Sequence, residues 1–246
     1  MATAAKPSTS NLLHLGCGLV APPEWLNIDG SVSAWLAKRP RLKKLASVLR
    51  ILPRKHADVV WPTNIMIADL RKPLPFPDES FDAVYSSHLI EHLFRDRALA
   101  LLGEARRVLR PGGRCRTLVP DLRKMVDDYV AGRAIDARGQ QVTARVNGNG
   151  SGAPDVPDPA RAMVSRLMMR GEASPRGHAL YRAYQAGVDF FYHKWMYDGP
   201  SLVHLMTEAG FTDCRERGFL DTEIPHLEKV EMRSRYDDGV AVEGRK

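Results

Sequence analysis

Leu12-Leu-His-Leu-Gly-Cys-Gly18 is four largely apolar residues running into two glycines. A run that short, closed by glycine, predicts a buried strand that gives way to a tight turn. Lacking Cβ atoms, Gly16 and Gly18 let the backbone approach a bound ligand closely. The same pattern recurs outward from it. Residues 25–28 form a second run ending at Asp29, residues 64–68 a third ending at Asp69-Leu70, and residues 81–86 a fourth that opens onto Ser86-Ser87-His88. Residues 116–119 supply a fifth. Between them, the spacing of Trp35, Leu36, Leu42, Leu45, Val48 and Leu49 predicts helix over 31–52, broken or started by Pro40. Residues 88–110 read mostly as helix, stopped by Pro111-Gly112-Gly113. Strands alternating with helices at this spacing predict an α/β fold, a mainly parallel sheet with helices on both faces.

Farther along, residues 161–169, 176–187 and 200–209 read as helices, and residues 212–219 and 239–244 as two closing strands. Residues 1–10 are small and polar and read as a flexible terminus, leaving 11–246 as a single domain. Within it, residues 136–159 shift to Gly, Asn, Pro and Gln and read as a flexible insertion.

The chain has 246 residues, 44% hydrophobic and 26% charged, which excludes collagen-like, disordered and disulfide-stapled classes and suffices for a core without metal or disulfide. No run approaches the roughly 18 apolar residues of a membrane span. Cys17, Cys115 and Cys214 are odd in number and widely spaced, as free thiols in a reducing compartment would be, and the cytoplasm is the simplest address. The net charge of +7 is clustered in part. Lys38, Arg39, Arg41, Lys43, Lys44, Arg50, Arg54 and Lys55 form a stretch with no acid, interleaved with leucines. Its ordinary reading is a solvated face over an apolar stripe, and its functional reading is peripheral contact with an anionic membrane. No nucleic-acid module accompanies it.

Gly16, Gly18 and Ala21 nearly fill a dinucleotide fingerprint, but Pro22-Pro23 stands where a helix should begin, and Asp29 follows Gly16 by 13 residues instead of about 20. Asp29 and Asp69 at successive strand ends instead suit a ribose diol and an adenine amine. Each taken singly is also an ordinary cap or turn residue. With LLHLGCG at 12–18, NIDGS at 27–31, ADLRKPLPFPDESFDAVYSSHLIEHL at 68–93, RRVLRPGGRCRTLVPDL at 106–122 and HKWMYDGPSLVHLMTEAGF at 193–211, the chain resembles a class I S-adenosylmethionine-dependent methyltransferase. The nearest likeness is to a bacterial branch working on small molecules or glycans.

The resemblance implies a Rossmann-like, doubly wound sheet of about seven strands whose last strand is antiparallel. It implies methyl transfer from S-adenosylmethionine, with oxygen of a small or carrier-linked acceptor as the expected target. Carried over by position, Leu15, Gly16, Cys17 and Gly18 would line the methionine moiety, Asp29 the ribose, Asp69 and Leu70 the adenine, and Ser86, Ser87 and His88 the mouth. His14 stands where the family usually has an acid, Val20 replaces a third glycine, and the stretch from Gly18 to Asp29 is short for a first helix.

His88-Leu-Ile-Glu-His92 also reads as the inverted zinc-protease motif, the basis of a rival reading as a zinc hydrolase. That reading needs the motif inside a helix and a third ligand elsewhere. Here Ser86-Ser87 marks the mouth of a strand and a third ligand is missing, so no metal ligand is assigned. For a hydroxyl acceptor the candidate bases are His92, His88 and His193, imidazoles that titrate near neutral pH, with His92 preferred because it follows Glu91 in the segment after the fourth strand, where the donor methyl should point. Tyr192, His193 and Tyr197 are expected to border the acceptor pocket. Nothing near Cys17 would stabilise a thiolate, so it is no nucleophile.

Overall fold

The computed structural model describes residues 11–48, 58–136, 139–145, 155–168 and 192–246. The N-terminal ten residues, the 176–187 helix, the end of the 31–52 helix, part of the basic stretch and the middle of the insertion lie outside these residues.

Leu13 and Leu15 face one side of strand β1 (Leu12–Leu15) and Leu12 the other, and every residue of the strand is buried. Burial on both sides is the mark of a central strand in a parallel sheet. β1 pairs in parallel with β2 (Leu26–Asp29) and with β4 (Phe81–Ser87), β2 with β3 (Ile65–Ile67), and β4 with β5 (Leu109–Pro120). Beyond a hairpin of β6 (Thr143–Arg145) and β7 (Asp155–Pro157), β8 (Thr212–Arg217) and β9 (Gly239–Arg245) complete the large sheet. Its order is β3-β2-β1-β4-β5-β9-β8, and β9 runs antiparallel to both neighbours. The expected seven strands and antiparallel last strand are present. Strand order reverses at β1, so a crevice opens at its carboxyl end, where such sheets bind ligands.

The helices are α1 (Val32–Ala37), α2 (Pro40–Val48), α3 (Arg95–Val108), α4 (Leu122–Val130), α5 (Pro159–Met168), α6 (Gly199–Glu208) and α7 (Arg233–Tyr236). Ser31 caps α1 and Pro40 starts α2, as a residue without an N–H can. No residue of α2 is buried, and Leu42, Leu45 and Val48 are exposed, so its apolar side chains do not form the stripe over the core that their spacing suggested. Asp198 and Ser201 close a reciprocal capping box at α6. No described helix is long and apolar enough to cross a membrane.

Two expectations for 88–119 are corrected. The segment after β4 is a single 3-10 turn over residues 90–92 before α3 begins at Arg95, and α3 ends at Val108. Leu109 is fully buried and pairs with Phe81, which draws the chain into the sheet at once. Pro111-Gly112-Gly113 therefore lies within an irregular start of β5, not after a helix. The expected loose insertion is paired at both ends through β6 and β7.

Leu101 and Leu102 of α3 and Leu205 and Met206 of α6 pack on the face shown by Leu13 and Leu15, while Ile224, Leu227 and Val230 cover Leu12, Trp25 and Tyr85 opposite. Polar ties fix the periphery. On α4, Asp128 accepts from Arg166 Nη1 and Arg133 Nε, each at 2.7 Å. Burial pushes its pKa up, but these hydrogen bonds outweigh burial and hold it at about 2. A carboxylate depressed on folding stabilises above its unfolded pKa of about 3.9, and that stability is lost as pH falls toward 2. Asp128→Asn is therefore expected to lower unfolding free energy by about 2 kcal/mol at pH 7. Urea melts of the two proteins should converge as pH drops from 4 toward 2, and a gap unchanged at the acid end would refute the assignment.

Candidate active site

Gly16 and Gly18 both adopt left-handed backbone conformations, φ 64° and 55°, at the carboxyl end of β1. A side chain at Gly16 would strike Leu89, and one at Gly18 would meet nothing within 4 Å, so Gly18 borders open space. Cys17 between them points inward and is buried, and burial beside Asp29 pushes its thiol up to about 12. It is no nucleophile, as expected.

Asp29 ends β2 beside this turn and is nearly buried. Its Oδ2 accepts from Gly18 N–H at 2.9 Å and its Oδ1 from Ser31 N–H at 2.8 Å. The carboxylate thus fixes the turn and keeps further lone pairs for a diol. One strand over, Ala68 N–H donates to Asp29 O, which sets Asp69 beside it. The side chain of Asp69 is less free than expected. Arg71 grips it through Nε at 2.8 Å and Nη2 at 3.0 Å, and that hydrogen bonding holds its pKa below the usual range. Leu70 is buried in the main core. Gly30, which sequence reading passed over, matters here: a Cβ would lie 2.6 Å from Ala68 O.

Register places Leu15 opposite Ser86, so the mouth of β4 abuts the glycine turn. Ser86 Oγ donates to Thr117 Oγ1, and Ser87 is buried. His88 leaves the strand with φ 52° while its N–H still donates to Leu118 O. Next comes Glu91, which the sequence reading weighed only as the glutamate of the rival zinc motif. It is 0% exposed, and neither carboxyl oxygen has a hydrogen-bond partner. His88 Nδ1 stands 3.6 Å and His92 Nε2 3.9 Å from the same Oε1. Burial raises the Glu91 pKa to about 8.

Lys194 and Trp195 N–H groups both donate to Glu91 O, which ties residues 192–195 to this turn. His193 is thereby brought against His92, with ring centroids 5.1 Å apart. Arg235 of α7 approaches from the opposite wall and donates to Ser87 O. His88 and His92 are both lowered to about 4, by burial first, and His193 is lowered too. The expectation that an imidazole here titrates near neutrality is corrected, because desolvation disfavours the charged form. Tyr192 sits beside the cluster, where its carbonyl accepts from His92 Nδ1. Tyr197, expected to contact acceptor, is instead buried in the main core, where burial raises its phenol to about 12. His14 is in the core too, beside Trp25 and Tyr85. The helix required by an inverted zinc-protease motif is absent, since 90–92 is one 3-10 turn and His88 is left-handed.

Residues 13–117 match a family described as a methyltransferase domain. That match spans 105 of the chain's 246 residues and reads them as a methyltransferase domain. No curated protein matches the chain. Among solved structures it is similar to an S-adenosylmethionine-dependent methyltransferase from Mesorhizobium loti, 18% identical, with 98% of this chain and 94% of that one covered and a TM-score of 0.41. It is also similar to one from Archaeoglobus fulgidus, 13% identical, covering 97% and 87%, with a TM-score of 0.41. The crevice fits S-adenosylmethionine: Gly18 leaves room where a Cβ would stand, and Asp29 keeps acceptor capacity for a ribose. Bound there, S-adenosylmethionine supplies an electrophilic methyl group.

Proposed function

We propose that the enzyme methylates an oxygen of a small or carrier-linked acceptor seated against His88, Glu91, His92 and His193. The observation that carries this reading is the set of imidazole nitrogens left without protons. His88 Nε2, His92 Nδ1 and His193 Nδ1 each face a backbone carbonyl, those of Arg235, Tyr192 and Leu167, at 3.3, 3.4 and 3.1 Å. A carbonyl only accepts, so those nitrogens carry the protons and the other nitrogen of each ring is a bare acceptor. Bare acceptors orient a hydroxyl, which brings a proton of its own, and they hold an oxygen lone pair toward the methyl group. Gly16 to Gly18 and Asp29 would hold the donor across the crevice, with Asp69 at the adenine. As the O–C bond forms, the C–S electron pair returns to sulfur. The oxygen then becomes acidic enough to release its proton to water or to a weak base.

The test is single-turnover transfer from methyl-labelled S-adenosylmethionine to matched hydroxyl, carboxyl and amine acceptors, free and carrier-linked. A product label that resists mild base is expected, as in a methyl ether. Transfer confined to amines, or a label released by base as from an ester, would overturn the hydroxyl reading. His193→Ala is expected to raise KM for the acceptor at least tenfold with little change in donor affinity, as removal of an orienting hydrogen bond at a buried site does.

A further inference from the structure

We infer that Glu91, His92 and His193 form a binding site for a zinc ion. One ligand atom from each of the three lies within 4.8 Å of the other two, and among the described residues they are the group with that property. Proximity alone would say little, but two further features point to a cation. The Glu91 carboxyl is fully buried with no donor on either oxygen, and burial without a partner is costly for a carboxylate. The N–H groups of His92 and His193 are spent on the carbonyls of Tyr192 and Leu167. Backbone carbonyls commonly fix the tautomer and orientation of metal-ligating imidazoles in this way.

Two imidazoles and one carboxylate are a donor set that zinc takes in open sites, with the fourth position left for an oxygen ligand. Zinc bonds of about 2 Å would draw the three ligand atoms to about 3.4 Å apart, a contraction within reach of side-chain rotation. His88 stands outside the set and faces Glu91 Oε1 from the other side, with its Nε2 proton on Arg235 O. The site differs from the zinc-hydrolase motif that the sequence suggested. There the two histidines of one helix would ligate and the glutamate would act as base, whereas here the glutamate is a ligand and His193 replaces His88. The inference stands independently of the acceptor's identity. With zinc bound, the free lone pairs of His92 and His193 would go to the metal, and its open position would take over from those rings the task of holding the acceptor oxygen.

The experiment uses the full chain, treated with a chelator, dialysed, and titrated with Zn²⁺ against a chromophoric competitor. Binding of one zinc per chain is expected, and Mg²⁺ at the same concentration should not compete because imidazole-rich sites disfavour it. Glu91→Gln, His92→Ala and His193→Ala should each weaken binding at least thirtyfold, whereas His204→Ala, at an exposed position on α6, should not. Substituted Co²⁺ should give visible absorption bands that vanish in the first three variants. S-adenosylhomocysteine affinity, measured on the same preparations, reports whether each variant is folded. Failure of the wild type to bind S-adenosylhomocysteine would count against the methyltransferase reading and leave the zinc result standing. Absence of saturable zinc binding, or binding indifferent to all three substitutions in variants that still bind S-adenosylhomocysteine, would overturn the inference.

Discussion

Arg116→Ala is expected to cost about 3–5 kcal/mol of folding stability, the range found when one partner of a buried ion pair is removed. Arg116 lies in β5 and is 0% exposed, as is its partner Glu231. Its Nε and Nη2 donate to the two carboxyl oxygens of Glu231 at 2.7 and 2.8 Å, and Nη2 and Nη1 also donate to Gly218 O and Asp221 O. Glu243 of β9 stands 3.7 Å away and is nearly buried. Alanine would leave two carboxylates in the interior with part of their compensation gone. It would also free the 218–231 segment, which leads into α7 and so to Arg235 beside His88. Thermal unfolding should fall by about 10 °C, given about 2–4 °C per kcal/mol for a chain of this size. Arg116→Met combined with Glu231→Leu removes both charges and should recover more than half of the loss. A single variant that melts within 2 °C of wild type would show that the pair carries no such weight.

Asp29→Ala should weaken S-adenosylhomocysteine binding by about 100-fold, and Asp69→Ala by about tenfold or less. The difference follows from what each carboxylate already does. Asp29 holds Gly18 N–H and Ser31 N–H, so alanine removes a ribose partner and also unpins the glycine turn. Hydrogen bonds to a charged group are worth about 1.5–3 kcal/mol each. Asp69 is committed to Arg71 and is part-exposed, so its contribution to a ligand is shared and screened. Calorimetry at fixed ionic strength separates the two. Equal losses, or an Asp29→Ala protein that binds as well as wild type, would move the ribose site elsewhere.

The strands of the sheet were legible because short apolar runs closed by glycine or aspartate have few other uses. β1, β2, β3 and β4 fall within a residue or two of where their runs predict them. Boundaries failed where local punctuation competed with burial. Pro111-Gly112-Gly113 looks like a helix stop, yet Leu109 and Phe81 had already drawn the chain into the sheet. The meeting of Gly16, Gly18 and Asp29 was legible for the same reason as the strands, since they are strand-end residues that any parallel sheet of this order brings together.

The acceptor side was legible only in its parts. His88, His92 and His193 could be named from the sequence, but their protonation could not, because an imidazole's pKa depends on how far folding removes it from water. The part played by Glu91 was misread for a related reason. In sequence it is either a helix-start residue or the base of an inverted zinc-protease motif. Only the folded chain shows it walled in without a donor, facing two imidazoles from its own turn, with His193 delivered to its edge by the Lys194 and Trp195 amides. Sequence by itself determined the sheet, its glycine turn and the carboxylate that ends β2, because these follow from local periodicity and turn chemistry. Tertiary structure alone decided the burial of Arg116, the neutrality of the histidines and the convergence on Glu91. Desolvation and ligand geometry depend on which distant segments meet, and no local pattern encodes that.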